Sequence, residues 1–184
     1  ASITMGQSPK SEFYNFTGEG LPFHQGVKDY GDRFIKNTCW STEGSRLAYS
    51  GDILFSVRAP VGRLNISREK IILGRGLCAI RHNKDAQSFC YYMLKNKFFE
   101  EDMMGGGAIF NSVTKNDMLG IEVIQPTESL LMNYESIAGR MDAQILNLHE
   151  QNIRLKEARD LLLPRLMSGA IDVDSLTIPM ETNP

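Results

Sequence analysis

The chain has 184 residues, 42% of them hydrophobic and 23% charged, with a formal net charge of −2. That is enough apolar material for one compact domain plus an appendage, and too little for two full cores. No run of about 18 apolar residues occurs, and the opening Ala1–Gly6 lacks the charged-then-apolar order of a leader, so a cytoplasmic protein with no membrane contact is expected.

Residues 1–126 are punctuated by Gly and Pro and carry short β-type runs at Arg46–Tyr49, Asp52–Val57, Lys70–Leu73, Leu77–Arg81 and Ile121–Ile124. Turn formers such as Ser50-Gly51, Ala59-Pro60 and Asn83-Lys84 separate them, which predicts a mainly β region. One helix interrupts it, from about Asp85 to Met103. Phe89, Tyr92, Met93 and Phe99 are placed to bury a face, Asn83 or Asp85 is available as N-cap, and Gly105-Gly106-Gly107 ends it. A further helical turn is expected at Thr114–Met118, where Thr114 stands three residues before Asp117 at capping-box spacing.

After Pro126 the character changes. Residues 127–163 contain no Pro and a single Gly, and Tyr134, Ala138, Met141, Ile145, Leu148, Asn152, Leu155, Arg159 and Leu162 recur at alternating steps of four and three. This is a heptad seam on a helix of roughly 55 Å if continuous at 1.5 Å per residue. A core-facing amphipathic helix has the same spacing. Length, and the polar Asn152 and Arg159 on the seam, favour pairing with a second helix, because coiled coils use polar seam residues to set register and partner number. Leu161-Leu162-Leu163-Pro164 and Ser168-Gly169 should stop the helix, leaving a loosely ordered tail from Asp172. The expected division is a domain at 1–126, a long helix at 127–167 and a tail at 168–184.

Split at residue 126, the charge is uneven: 15 Lys and Arg against 13 Asp and Glu before it, and 5 against 9 after it. The mildly basic first part is compatible with nucleic-acid binding without requiring it.

Enzyme signatures are scarce. No Gly-Lys dipeptide exists to build a Walker loop, and no Asn-Pro-Pro-Tyr type motif is present. Gly74-Arg75-Gly76-Leu77-Cys78-Ala79 fits a loose dinucleotide pattern, but Leu77–Arg81 continues as strand-like sequence where a phosphate-binding helix would have to begin. No Lys has Asp or Glu two residues before it, as the commonest metal-dependent nuclease pattern needs. His24, His82 and His149 are scattered, and Cys39, Cys78 and Cys90 match no zinc or redox spacing and read as buried thiols. Neither catalysis nor a bound metal or cofactor is expected of this chain.

Three motifs in order carry a family resemblance: Met5-Gly6-Gln7-Ser8-Pro9, then Gly18-Glu19-Gly20-Leu21-Pro22-Phe23-His24-Gln25-Gly26, then Gly51-Asp52-Ile53-Leu54-Phe55-Ser56-Val57-Arg58-Ala59-Pro60-Val61-Gly62. They resemble the target-recognition domain of type I restriction-modification specificity subunits. Gly74–Arg81, Gly107–Asn111 and Ile121–Pro126 resemble later segments of that domain, and Leu161–Gly169 the end of its spacer helix. The family's usual opening strand, with a Trp and a Leu-Gly step, is missing before Ile3. The resemblance implies an α/β recognition domain with a strongly curved, mainly antiparallel sheet and few helices, followed by a long coiled-coil helix. Complete subunits hold two such pairs, so this chain corresponds to one: a natural half-subunit, half of a longer gene, or a truncated piece.

The resemblance further implies a non-catalytic role: reading one half of a split double-stranded DNA site and docking methyltransferase subunits. S-adenosylmethionine would then sit on those subunits, and ATP and Mg²⁺ on a restriction subunit. Two half-subunits would pair as a homodimer through their helices. For DNA contact, Lys28, Lys36, Arg58, Arg63 and Lys115 stand in or beside Gly- or Pro-punctuated loops. The stretch Gly105–Lys115, with Gly107, Asn111 and Ser112, is the leading base-reading loop, and Phe23–Tyr30, with Gln25 and Lys28, is the second. Arg58 has a competing reading as an internal ion-pair partner in a tight bend that the fold needs. Two other functions remain open here: a structural adaptor that pairs through its helix without reading DNA, and a nucleotide or sugar-phosphate enzyme using the Gly-rich loops.

Overall fold

The computed structural model describes residues 1–103 and 112–171, and the side chains of all of these but 99–103. The predicted loop residues Gly105, Gly106, Gly107 and Asn111, the side chain of Phe99 and the tail from Asp172 lie outside the described residues. The chain divides into two units, Ala1–Gly139 and Arg140 onward.

Among the described residues the first unit holds nine short strands: β1 Ser2–Met5, β2 Tyr14–Asn15, β3 Leu21–His24, β4 Trp40–Ser41, β5 Leu47–Ala48, β6 Ile53–Ser56, β7 Leu64–Ile66, β8 Ile71–Leu73 and β9 Leu77–Arg81. Helices α1 Gln87–Met103, α2 Lys115–Leu119 and α3 Glu128–Met167 follow. The strands form two sheets, β1-β9-β6-β7 and β2-β4-β3-β8-β5. Every pairing is antiparallel except β3 with β8, which brings Phe23 opposite Ile72 and His24 opposite Leu73.

Side chains on a strand alternate between faces, so an unbroken apolar run needs cover on both. In β6 and β9, Ile53, Phe55, Cys78 and Ile80 meet Cys90, Tyr91 and Leu94 of α1 and Met118 of α2. On the opposite face, Leu54, Leu77 and Ala79 meet Ala48, Ile71 and Leu73 of the second sheet. The first sheet is thus the middle layer of three. Each fully buried Leu, Ile or Phe there contributes about 1.5–3 kcal/mol by leaving water, and the T-shaped pair of Phe55 and Phe98, with centroids 4.8 Å apart, adds to it.

Several sequence expectations change. Ile121–Ile124 is not a strand: Val123 and Ile124 are exposed, and the Glu122 carbonyl accepts from Lys97 Nζ at 3.0 Å. β1 to β4 and β7 are not signalled in the sequence because a polar residue or Pro interrupts each of their apolar runs, whereas β5, β6, β8 and β9 lie in runs of three or more consecutive apolar residues. The buried face of α1 centres on Cys90, Tyr91 and Leu94; Tyr92 and Met93 are only partly buried, and Phe89 turns its ring edge-on to Tyr134 at 5.9 Å. Asp85 adopts φ 55° just before α1, and neither it nor Asn83 supplies the cap. The first-turn N–H groups of Ser88 and Phe89 instead donate to the Glu135 carboxylate at 3.1 and 3.0 Å, from 47 and 46 residues away. α2 begins at Lys115 with Thr114 and Asp117 forming the expected capping box.

Helix α3 is 40 residues long, about 60 Å at the standard rise. Its first turns belong to the first unit, with Leu131 and Ala138 buried and Glu128 paired to Lys84 at 2.9 Å. Pro164 lies inside α3 and does not stop it. Only one more turn follows, with Ser168 N–H donating to the Pro164 carbonyl at 3.0 Å, and Gly169 at φ 71° closes the helix. In the second unit Met141, Ile145, Leu148, Leu155 and Leu162 are all exposed. No helix among the described residues is long and apolar enough to cross a membrane.

Candidate nucleic-acid interface

The sequence motifs turn out to be places where backbones meet. Gly6 N–H donates to the Leu77 carbonyl and Gln7 N–H to that of Leu73, both at 2.9 Å, and a Cβ on Gly6 would collide with the Gly74 carbonyl. A Cβ on Gly74 would lie 2.6 Å from Gln25 Cα, and one on Gly76 would strike the Gln25 carbonyl oxygen. Glycine is required at all three because the chain passes through contacts that no side chain leaves room for. The Gly74-Arg75-Gly76 turn therefore serves packing, and Leu77, where a dinucleotide helix would start, opens strand β9.

The third motif, Gly51–Gly62, is clasped by polar groups. Asp52 is buried, accepting from Tyr49 N–H at 2.7 Å and pairing with Arg81 Nε at 2.6 Å. Buried Ser56 donates its hydroxyl to the Pro60 carbonyl at 2.6 Å and accepts from Arg63 N–H at 2.8 Å. Gly62 at φ 86° completes this bend. Val57 N–H donates to the Gly76 carbonyl at 2.9 Å, and the Val57 carbonyl accepts from Val113 N–H at 2.8 Å. The backbone at Arg58 is held between these bonds, in a bridge to Ser112.

These constraints open a cleft of ≈ 240 Å³ lined by Gln25, Gly26, Val27, Ser56, Arg58, Ala59, Arg75 and Gly76. Of the sequence-predicted residues, Gln25 and Arg58 line it, Lys28 is exposed on the 3₁₀ turn Val27–Asp29 that forms one wall, and Ser112 bridges to Arg58. Lys36, Arg63 and Lys115 are exposed but are not part of the lining. Among the described residues neither Arg58 nor Arg75 has an acidic partner, so the internal ion pair considered for Arg58 does not form there. Arg33 is internal: its guanidinium lies 4.6 Å from the Tyr91 ring centroid and donates to the Tyr92 hydroxyl at 3.0 Å. Arg75 went unread in the sequence. Its signal was available, an arginine between two glycines, which puts a cation on a tight turn.

Behind the cleft, His24 is fully buried on β3 with Nε2 3.1 Å from Asn37 Oδ1. Its Nδ1 faces Asp29 Oδ2 at 3.4 Å, outside hydrogen-bond geometry. Burial lowers the His24 pKa and outweighs the raising effects of Asn37 and the Asp29 carboxylate. Burial pushes the Cys78 thiol up to about 12 and the Cys90 thiol up to about 11, which disfavours their thiolate forms. Cys39 is half-buried and not fully buried as expected, with its pKa also raised, by desolvation first. No group of three or more His, Cys, Asp or Glu placed to hold a metal occurs among the described residues.

Comparison with known proteins gives these features relatives. The chain is 34% identical over 176 residues to a putative type I restriction enzyme MjaX specificity subunit of Methanocaldococcus jannaschii, covering 93% of this chain and 41% of that protein. A specificity subunit (HsdS) structure from Thermoanaerobacter tengcongensis superposes with a TM-score of 0.64 at 30% identity, covering 89% of this chain and 41% of the other. In sequence and in fold the chain is similar to type I specificity subunits. The HindI specificity subunit of Haemophilus influenzae is 25% identical over 92% of this chain and 39% of its own length. A chain from a study of complex assembly and conformational transition of the type I R-M system matches at TM-score 0.65 and 32% identity, over 89% of this chain and 42% of the other. The specificity subunit from M. genitalium, at 17% identity and TM-score 0.64, shares the fold. No family model matches. The chain spans about two fifths of the length of the specificity subunits it resembles.

Proposed function

We propose that this chain is a non-catalytic DNA-recognition module that reads one half of a bipartite double-stranded site and docks methyltransferase subunits of a type I restriction-modification system. The observation that carries this reading is the convergence of Gln25, Arg58 and Arg75 on one cleft, with Lys28 on its wall, in a chain 34% identical to a specificity subunit along 93% of its length. Cations hold phosphates and place the polar side chains, while amide and hydroxyl groups distinguish base edges. Gln25 and Ser112 are suited to the second task, and Gly107 and Asn111, outside the described residues, keep the base-reading role expected from the sequence. Lys36, Arg63 and Lys115 would add phosphate contacts further along the duplex.

The partner reading follows from α3. Met141, Ile145, Leu148, Leu155 and Leu162 leave a heptad stripe in water, and the helix of a second copy covers such a stripe at the least cost. A homodimer would read a symmetric split site. S-adenosylmethionine would be bound by the methyltransferase partner, and ATP and Mg²⁺ by a restriction subunit that joins later. The test is selection from a random duplex library by the chain assembled with its methyltransferase subunit. Enrichment of a short half-site is expected; a complex that assembles yet enriches nothing would make the chain a structural adaptor.

A further inference from the structure

The cleft lined by Gln25, Arg58, Arg75 and Gly76 has a chemistry more specific than general affinity for DNA. Its two guanidinium groups come from separate turns, one after β6 and one between β8 and β9, and among the described residues no carboxylate neutralises either. Two exposed like charges at one cleft, with no carboxylate beside them, favour a ligand of opposite sign. The lining contains no aromatic ring and only Val27 and Ala59 as apolar side chains, so it offers no face on which a base could stack.

Both arginines also stand on immobilised backbone. Arg58 lies between the two hydrogen bonds of Val57 and the bridge to Ser112. Arg75 lies between two glycines pressed on the Gln25 backbone, and its own N–H donates to Ser8 Oγ at 3.1 Å. A contact built on the packed scaffold is suited to setting the register of the duplex, and phosphate contacts do this without carrying sequence information. We infer that the Arg58–Arg75 pair in this cleft seats a backbone phosphodiester group of the DNA as a sequence-independent anchor, leaving base discrimination to Gln25 and to residues outside the cleft. This rests on the DNA-recognition reading above and assigns Arg75 a role that the sequence did not suggest.

The experiment compares the full chain with its Arg58→Ala, Arg75→Ala and Arg75→Lys variants, each first checked for an unchanged melting transition. Binding is measured to a library-selected duplex and to an unrelated duplex across a salt series. Each alanine variant should weaken binding to both duplexes by the same factor, about tenfold at low salt, and should flatten the slope of log affinity against log salt by about 0.9 per lost contact. Arg75→Lys, which keeps the charge, should restore most of the slope. Loss of discrimination at one base pair with the slope unchanged would overturn the inference in favour of base-edge reading, and so would alanine variants that bind like the parent. A parent chain that prefers no sequence, yet loses affinity and slope in both variants, would sink the recognition reading and leave this anchor standing. A parent chain that binds neither duplex would remove both.

Discussion

At the scale of single residues, the buried polar groups show which chemistry the fold tolerates. His24 sits without solvent contact between Asp29 and Asn37, immediately before Gln25 at the cleft. Its pKa in the fold is below the unfolded value of 6.5, so the unfolded chain binds the proton more readily. The stabilisation from the neutral ring is therefore fully present above pH 6.5 and is lost as pH falls through the folded value. Denaturant titrations at pH 7.5 and 5.5 should show lower stability at 5.5, and His24→Gln should shrink that step. His82 is shifted the same way, chiefly by partial burial, so a smaller residual step is expected. A step of undiminished size in the variant would assign the pH dependence elsewhere. The buried side chain of Asp52, by contrast, has partners for both oxygens, with Tyr49 N–H donating to Oδ2 and Arg81 Nε to Oδ1.

Among the elements, the junction of α1 and α3 carries a polar latch. The four leading N–H groups of a helix need partners from outside it, and at α1 two of them receive both oxygens of Glu135. The latch sits where Gly139 passes the Ser88 hydroxyl and where Tyr134 meets Phe89. Glu135→Ala should cost about 1–3 kcal/mol, the range for stranding part-buried donors. It should also raise amide hydrogen exchange at Ser88 and Phe89 more than in the β6–β9 core. Glu135→Gln, retaining one acceptor oxygen, should fall between the two. Equal exchange in parent and alanine variant would mean that water replaces the carboxylate without penalty.

At the scale of the whole molecule, the apolar face of α3 beyond Gly139 is what a single copy leaves unfinished. Leu148 is 47% exposed in the isolated chain, so Leu148→Asp removes no core contact and should leave the stability of the first unit within about 0.5 kcal/mol of the parent. In a helix pair the same change buries a carboxylate, so the dimer fraction measured by sedimentation should collapse while the monomer stays folded. A parent chain that sediments as a monomer at every accessible concentration would end the homodimer proposal.

Periodic patterns could be read directly. The heptad run from Tyr134 to Leu162, strand β9 and the Thr114–Asp117 box each have a physical cause contained within a few neighbouring residues, so sequence alone determined a long helix, a β-rich domain and a short capped turn. The ordered glycine motifs likewise carried the family resemblance. Tertiary structure alone decided the rest. Two-residue strands such as β2 and β4 exist only because distant partners supply their hydrogen bonds, and the cap of α1 comes from Glu135 across nearly fifty positions. The run Ile121–Ile124 has strand chemistry but no partner edge among the described residues. Arg58 and Arg75 share a cleft because Gly76 fits against Gln25, a relation set by backbone packing, which no local spacing encodes.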